Sequence, residues 1–333
     1  MRASFEDVVV STRVRLARNF ADYPFPNRLT DVGQAREIVR LLAAELNHTD
    51  TFDVYYMSSV SAEKAAFLKE RHLISQDLIN NRRISAALVS RDESISVMIN
   101  EEDHVREQYF LNEFNLKKVY ERISGIDDII SESIPFAYDE ALGYLTACPT
   151  NLGTGLRASV MLFLPGLTRR SVMRKLMPYL TRLGLTVRGA FGEGSGTEGE
   201  LYQVSNEITL GRSEDEILKV VEDAVRLIAE FELRERQRLM EEDEVAFRDR
   251  VCRAYGILTN CVRIDAHEFM LHMADVKLGV ASGILNGTMQ ELNDLIVAMR
   301  PANINRLNGA PLGERERDVY RAEYTRKALR AMQ

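Results

Sequence analysis

Val14 and Leu16 alternate with Arg13 and Arg15 directly after the run Val8-Val9-Val10, a period of two that predicts a strand with arginines projecting from it. A helix is expected from Asp31, because Ile38, Leu41, Leu42 and Leu46 share one stripe. Residues 54–60 read as a strand, 62–71 as a helix, and 86–89 with 95–99 as paired strands around Arg91-Asp92-Glu93. Helix is expected over 111–134 and 171–183, and strand over 144–147, 158–164, 187–191 and 201–210, with a glycine-rich loop at 192–199. Ser213 and Glu216 have capping-box spacing, which predicts the start of a long helix. Its dense charge over 230–244 reads as a solvated helix face and marks a boundary. Beyond 245 only helical periodicity remains, as at Phe269, Met273, Val276 and Val280. The expectation is an α+β unit over 1–240, its strands spaced like hairpins, followed by a small all-α unit over 241–333.

Composition narrows the function classes. The 333 residues are 45% hydrophobic and 28% charged, ordinary values for a globular protein. A net charge of −7 gives no global field to recruit nucleic acid or an anionic membrane, so positive charge at an anion site must be local. No apolar run approaches the roughly 20 residues that span a bilayer, and the first residues lack the apolar core of a secretory signal. Three cysteines, at 148, 252 and 261, make no CxxC spacing. A cytoplasmic protein is expected. His267 and His272 are five apart, so they do not share a helix face and no metal site is assigned.

The chemistry gathers in a few blocks. Cys148-Pro149-Thr150-Asn151-Leu152-Gly153-Thr154-Gly155-Leu156-Arg157 lies between Asn100-Glu101-Glu102-Asp103-His104-Val105-Arg106 and Arg188-Gly189-Ala190-Phe191-Gly192-Glu193. A triphosphate carries roughly four negative charges and its transfer depends on positioning and charge stabilisation. The chain has neither the GxxxxGK[ST] loop nor the protein-kinase HRD and DFG set. Arginine serves as an alternative cradle, because its planar fork makes paired, charge-assisted bonds to phosphate oxygens. The candidates are Arg13, Arg15, Arg106, Arg157 and Arg188. For a cationic acceptor, carboxylates such as Glu101, Glu102 and Glu193 clamp a guanidinium and accept the proton lost as the N–P bond forms.

These blocks, with Ser11-Thr12-Arg13-Val14-Arg15, resemble the ATP:guanido phosphotransferases, or phosphagen kinases, in order and across residues 11 to 210. The resemblance implies a phosphagen-kinase-like catalytic domain and a nucleotide clamp of the five arginines. It adds Ser11, Thr12, Val14, Ala158, Ser159, Val160, Met161, Gly189, Ala190, Phe191, Gly192 and Glu193 to the ATP site, and places His72 near the adenine. Glu102 and Glu193 match the carboxylates that hold and activate the guanidinium, and Cys148 the reactive cysteine beside it. ATP with Mg²⁺ is the implied cofactor, the metal arriving on the nucleotide.

Two departures shape the acceptor. Only ten residues precede the Ser11 block, where small-molecule phosphagen kinases carry a helical domain, and a helical unit follows instead. Both features are similar to the bacterial protein arginine kinases of the McsB type, which implies an open site and arginine on a protein as acceptor. Arg317-Asp318-Val319-Tyr320-Arg321-Ala322 matches their RDxxRA motif, implying phosphoarginine recognition by Arg317, Asp318, Arg321 and Ala322. By the same analogy the partners are protein substrates, a zinc-binding activator, the Clp protease system and a second copy of the chain in a homodimer. The analogous roles are regulated degradation and stress-response control. A kinase of free arginine or another small guanidine, and a catalytically silent phosphoarginine-binding adaptor, are the alternatives.

Overall fold

The computed structural model describes residues 4–189 and 198–332. The first elements are β1 (Val9–Arg18), α1 (Val32–Leu46), β2 (Phe52–Tyr56), α2 (Ala62–Glu70), α3 (Gln76–Asn80), β3 (Ala86–Ser90), β4 (Ile95–Ile99), β5 (Val105–Leu111) and α4 (Leu116–Ser133). A two-stranded ribbon, β6 (Tyr138–Asp139) and β7 (Gly143–Tyr144), precedes β8 (Leu156–Phe163). Then come α5 (Pro165–Arg169), α6 (Met173–Arg182), β9 (Leu185–Gly189), β10 (Leu201–Asn206) and α7 (Glu214–Glu242). Helices α8 (Glu244–Asn260), α9 (Ala266–Ala281), α10 (Met289–Ala298), α11 (Pro301–Asn308) and α12 (Glu314–Ala331) complete the chain.

Eight strands form one sheet in the order β2-β3-β4-β5-β1-β8-β10-β9, every neighbouring pair antiparallel. The period of two sends Val14 and Leu16 of β1, and Leu156, Ala158 and Val160 of β8, into a core shared with α1, α4 and α7. On the opposite face, α2 and α3 cover one end of the sheet. The C-terminal helices reach the other end, packing against Phe163 and Leu201. The middle of that face, where β5, β1 and β8 lie side by side, is left for the arginines.

Several boundaries differ from the periodicity. β5 occupies ground where no strand was expected, and α4 begins at Leu116 rather than 111. A charged side chain, Glu107, faces the core there and breaks the apolar signal; burial and the Asp127 charge raise its pKa well above the usual carboxylate range. The strand expected over 54–60 sits at Phe52–Tyr56, and the one over 144–147 shortens to Gly143–Tyr144. The capping box at Ser213 and Glu216 is made, and α7 starts there. Its charged stretch is not only a solvated face. Glu232 is fully buried, accepting from the backbone N–H groups of Gly166 (2.8 Å) and Leu167 (2.9 Å) and from Arg236 Nε (2.6 Å). Those two amides open α5, so the carboxylate satisfies donors that a helix start leaves unpaired.

One buried cation ties the sheet to the loop ahead of β8. Arg18 gives Nε and Nη2 to Asp127 Oδ2 on α4, at 3.1 and 2.8 Å, and Nη1 to the carbonyls of Ala17 and Thr154, both at 2.9 Å. Its guanidinium lies 3.6 Å from the Tyr144 ring centroid. Gly155 has φ +63°, and a Cβ there would fall 2.6 Å from both the Ala17 oxygen and Arg18 Nη1. The Arg18→Ala variant is expected to lose about 3–5 kcal/mol, the cost of leaving a buried charge without its partner. A urea midpoint equal to that of the wild type contradicts this.

Candidate active site

Strand register assembles the site. Arg15 pairs with Arg157 across β1 and β8, and Arg13 with Ser159; on the other side Arg13 pairs with Phe110, Arg15 with Gln108 and Ala17 with Arg106. Arg188 pairs with Gln203 across β9 and β10. Arg13, Arg15, Arg106, Arg157 and Arg188 thereby line one cleft of about 440 Å³, together with Glu102 and Cys148. Bringing these seven side chains together from five separate segments is the work of the antiparallel sheet.

The cations are supported mainly by neutral acceptors. Arg13 Nη2 donates to Gln203 Oε1 (3.3 Å) and its Nε to Ser159 Oγ (3.5 Å), while Arg157 Nη2 donates to Ser205 Oγ (3.1 Å). Arg106 has an ionic partner, Glu101 Oε1 at 2.6 Å, which also accepts from Ser75 Oγ. Among the described residues, the buried Nε atoms of Arg15, Arg106 and Arg157 have no hydrogen-bond partner. Burial, then the Arg106 and Arg157 charges, lower the Arg13 pKa to about 10. Arg15 is lowered well below its usual value by burial and by the Arg13, Arg106 and Arg157 charges. Such a surface is suited to a polyanion.

Glu101 and Glu102, adjacent in sequence, diverge in role. Glu101 is buried against Arg106, whereas Glu102 is exposed at the cleft wall. Desolvation, then the Asp103 and Glu101 charges, raise the Glu102 pKa. Asp103 Oδ1 accepts from Asn19 Nδ2 and from the Ala147 amide, both at 2.6 Å, pinning the chain immediately before Cys148. Cys148 Sγ lies 3.0 Å from Thr150 Oγ1. Thr209 Oγ1 donates to the carbonyls of Thr150 and Leu152 and holds the loop from behind. Asp103, Asn19, Gln108 and Gln203 were not singled out from sequence. Recognising β5 as a strand would have exposed Gln108, two residues beyond Arg106; the other three contacts join segments distant in sequence.

The remaining expected site residues divide by strand face. Ser11 and Met161 line a neighbouring cavity with His72, and Gly189 lines the arginine cleft. The side chains of Thr12, Val14, Ala158 and Val160 are buried away from the cleft, because alternate residues of β1 and β8 face the core. Thr12 Oγ1 donates to the Glu113 carbonyl (2.6 Å). Ala190, Phe191, Gly192 and Glu193 lie outside the described residues. In the RDxxRA segment the two arginines separate. Arg321 is buried, its Nε on the Met299 carbonyl (3.1 Å) and its Nη1 on the Ile264 carbonyl (2.9 Å) and Asp318 Oδ1 (2.7 Å). Ala322 is buried beside it, while Arg317 is half-buried and donates to the Leu312 carbonyl (2.6 Å). Arg321 is therefore occupied in joining α12 to the segments before α9 and α11, which helical spacing alone does not reveal.

A sheet face of arginines bordered by a carboxylate offers a polyanion and a cation adjoining places, and the chain belongs to the ATP:guanido phosphotransferase family. The model of that family's C-terminal catalytic domain matches residues 34–235, and the model described as protein-arginine kinase McsB C-terminal domain matches residues 244–333. A relative named protein-arginine kinase, from Caldanaerobacter subterraneus subsp. tengcongensis, is 41% identical over 97% of each chain. Another of that name, from Symbiobacterium thermophilum, is 41% identical over 98% of this chain and 94% of its own. Among solved structures, lombricine kinase is 28% identical with a TM-score of 0.61, covering 70% of this chain and 68% of its own. The duplicated taurocyamine kinase from Schistosoma mansoni, with transition-state analog components bound, is also 28% identical at TM-score 0.61. That alignment covers 69% of this chain and 33% of the kinase.

His104 underlies the site without entering the arginine cleft. Its Nδ1 accepts from the Phe20 amide (3.2 Å) and its Nε2 meets the Pro24 carbonyl (3.0 Å), which requires the neutral ring protonated on Nε2. Burial lowers its pKa to about 4, against about 6.5 in an unfolded chain. A depressed folded pKa contributes stability fully above about pH 6.5, and that stability is lost as pH falls toward 4. Wild type is expected to weaken more between pH 7 and 5 than His104→Gln in urea unfolding. Identical slopes contradict the assignment.

Proposed function

We propose that the protein transfers the γ-phosphoryl group of ATP to a guanidinium nitrogen of arginine residues in proteins. The observation that carries the proposal is the position of Glu102. Glu102 lines both the arginine cleft and a second cavity of about 560 Å³, whose wall also carries Asn27, Asn81, Arg83 and Glu101. A triphosphate in the first and a guanidinium in the second meet across one carboxylate. The names of the full-length relatives and the match of residues 244–333 to a protein-arginine kinase domain support a protein acceptor.

In the proposed reaction, Arg13, Arg15, Arg106, Arg157 and Arg188 hold the phosphates and offset charge on the equatorial oxygens. Mg²⁺ comes with the nucleotide, neutralising part of its charge, since the cleft presents mainly cations rather than a carboxylate cage. Glu102 orients the acceptor and receives its proton. The new N–P bond forms as the bond to the β,γ-bridging oxygen breaks, and ADP departs with that electron pair. A free guanidinium has a pKa above 12, so proton loss accompanies bond formation rather than preceding it. Cys148, on the same cleft, faces the reacting nitrogen, and Glu193 completes the acceptor clamp.

We assign residues 1–240 to catalysis and 241–333 to dimerisation and phosphoarginine recognition, with Arg317 as the phosphoryl-binding member of the RDxxRA pair. A zinc-binding activator, the Clp protease system and a stress role in the cytoplasm complete the proposal by family analogy. No described helix is long and apolar enough to cross a membrane.

The test is incubation with ATP and either an unfolded protein or free arginine, read as acid-labile phosphoarginine by phosphorus NMR. Product on the protein is expected from wild type, and Glu102→Gln is expected to fall by about 10²–10⁴-fold, the worth of a general base. The wild-type rate is expected to drop with acid at a pH above the usual carboxylate value of about 4.3, because Glu102 acts as the carboxylate and its pKa is raised. Product on free arginine alone, or an undiminished Glu102→Gln rate, overturns the proposal.

A further inference from the structure

We propose that the C-terminal helices close the base end of the nucleotide site, with Arg300 as their contact residue, so that nucleotide binding and docking of α10 and α11 against α2 and the His72 segment favour one another. The inference rests on the nucleotide reading of the arginine cleft given above. It adds to that site a helical wall and Arg300 upon it.

The geometry begins on β1. Ser11, Arg13 and Arg15 project from one strand face, and Ser11 lies four residues, about 13 Å, from Arg15. A nucleotide with its phosphates at Arg13 and Arg15 extends its base toward Ser11. At that end stands a cavity of about 930 Å³. Ser11 and Phe110 form its sheet side, His72 its rim, and Ile296, Val297 and Arg300 its helical side. A smaller cavity of about 530 Å³ joins the two regions, with Arg13, Arg15 and Arg106 on the sheet and His72 and Arg300 beyond. Apolar side chains and a planar cation suit a purine better than they suit phosphate.

Arg300 is held in place by the kinase unit. Its Nη1 donates to the Glu70 carbonyl (2.7 Å) and lies 3.3 Å from His72 Nε2. His72 is exposed in the cavity mouth, yet crowding by protein atoms and the Arg300 and Arg13 charges lower its pKa and keep the ring neutral, an acceptor toward Arg300. The Glu70 carboxylate in turn receives the amides of Ala302 (2.9 Å) and Asn303 (3.0 Å), and Asn303 Nδ2 (3.0 Å), at the start of α11. Arg306 adds a contact 4.4 Å from the Phe67 ring centroid. Residues 70–72 thus carry both the rim histidine and the clamp on the C-terminal helices. His72 has φ +59°, a left-handed conformation that a non-glycine residue keeps only where its surroundings impose it. A ligand that touches both sides of this joint prefers the docked state, and docking must strengthen the ligand by the same factor.

Hydrogen exchange on the intact protein, with ADP or with inorganic tripolyphosphate, tests the coupling. ADP is expected to slow exchange in residues 289–308 as well as in β1, β5 and β8, and tripolyphosphate in the three strands alone. In calorimetry, Arg300→Ala is expected to weaken ADP about tenfold, the loss of one charge-assisted contact, and to leave tripolyphosphate binding unchanged. Arg300→Lys, which keeps the charge but not the planar fork, is expected to recover only part of the affinity. ADP binding without protection of 289–308 overturns the inference and leaves the cleft assignment standing. So does equal weakening of both ligands in a folded Arg300→Ala variant. Failure of wild type to bind either ligand removes the cleft assignment itself, and the inference with it. If Arg300→Ala does not fold, the exchange comparison on wild type decides alone.

Discussion

The structure depends on mutual repulsion held in check: several guanidinium groups crowd the middle of one sheet face. Arg13 and Arg15 on β1 stand beside Arg106 on β5 and Arg157 on β8; burial, then the Arg106 and Arg157 charges, lower the proton affinity of Arg13, and burial with the Arg13, Arg106 and Arg157 charges lowers that of Arg15. Buried like charges spread apart when the backbone allows it. Here it does not, because β1 is hydrogen-bonded on both sides and the reverse face is a dry core of Val14, Leu16, Ala158 and Val160. Among the described residues, Arg106 alone of these four has a carboxylate within ion-pair distance, Glu101. The remaining charge is stored in a rigid frame, as expected of a site that stabilises developing negative charge without rearranging.

Placement of the cleft residues follows from supports outside the cleft. Arg18 projects to the opposite face of β1 and holds the Thr154 carbonyl, fixing the turn before Arg157. Asp103 holds Ala147 and so the approach to Cys148, while the neighbouring Glu102 remains at the wall between two cavities. Three consecutive acidic residues therefore divide three tasks. Glu101 offsets Arg106, Glu102 lines both cavities, and Asp103 braces the loop.

Much of this was legible in sequence where a local rule operates. The alternation around Arg13 and Arg15 gave β1, and the Ser213 and Glu216 spacing gave the start of α7. Local rules failed where partners are remote. Glu107 concealed β5 because its carboxyl is accommodated by a core shared with Asp127 and Arg18. Glu232 and Arg236 have the composition of a solvated helix and the environment of an interior, since their acceptors and donors lie at residues 163–167. Arg321 has the spacing of a ligand-binding pair with Arg317, but its guanidinium is taken by carbonyls of Met299 and Ile264. Helical spacing predicts which residues share a face and says nothing of what that face meets.

The central claim is that the arginine face is destabilised when empty and relieved by a polyphosphate. The most direct measurement is the urea midpoint of wild type and Arg15→Gln, each with and without tripolyphosphate. The account predicts that Arg15→Gln is at least as stable as wild type when empty and gains much less from tripolyphosphate, because a repelling charge and a phosphate contact vanish together. An Arg15→Gln protein that is less stable when empty and gains as much as wild type from tripolyphosphate contradicts it.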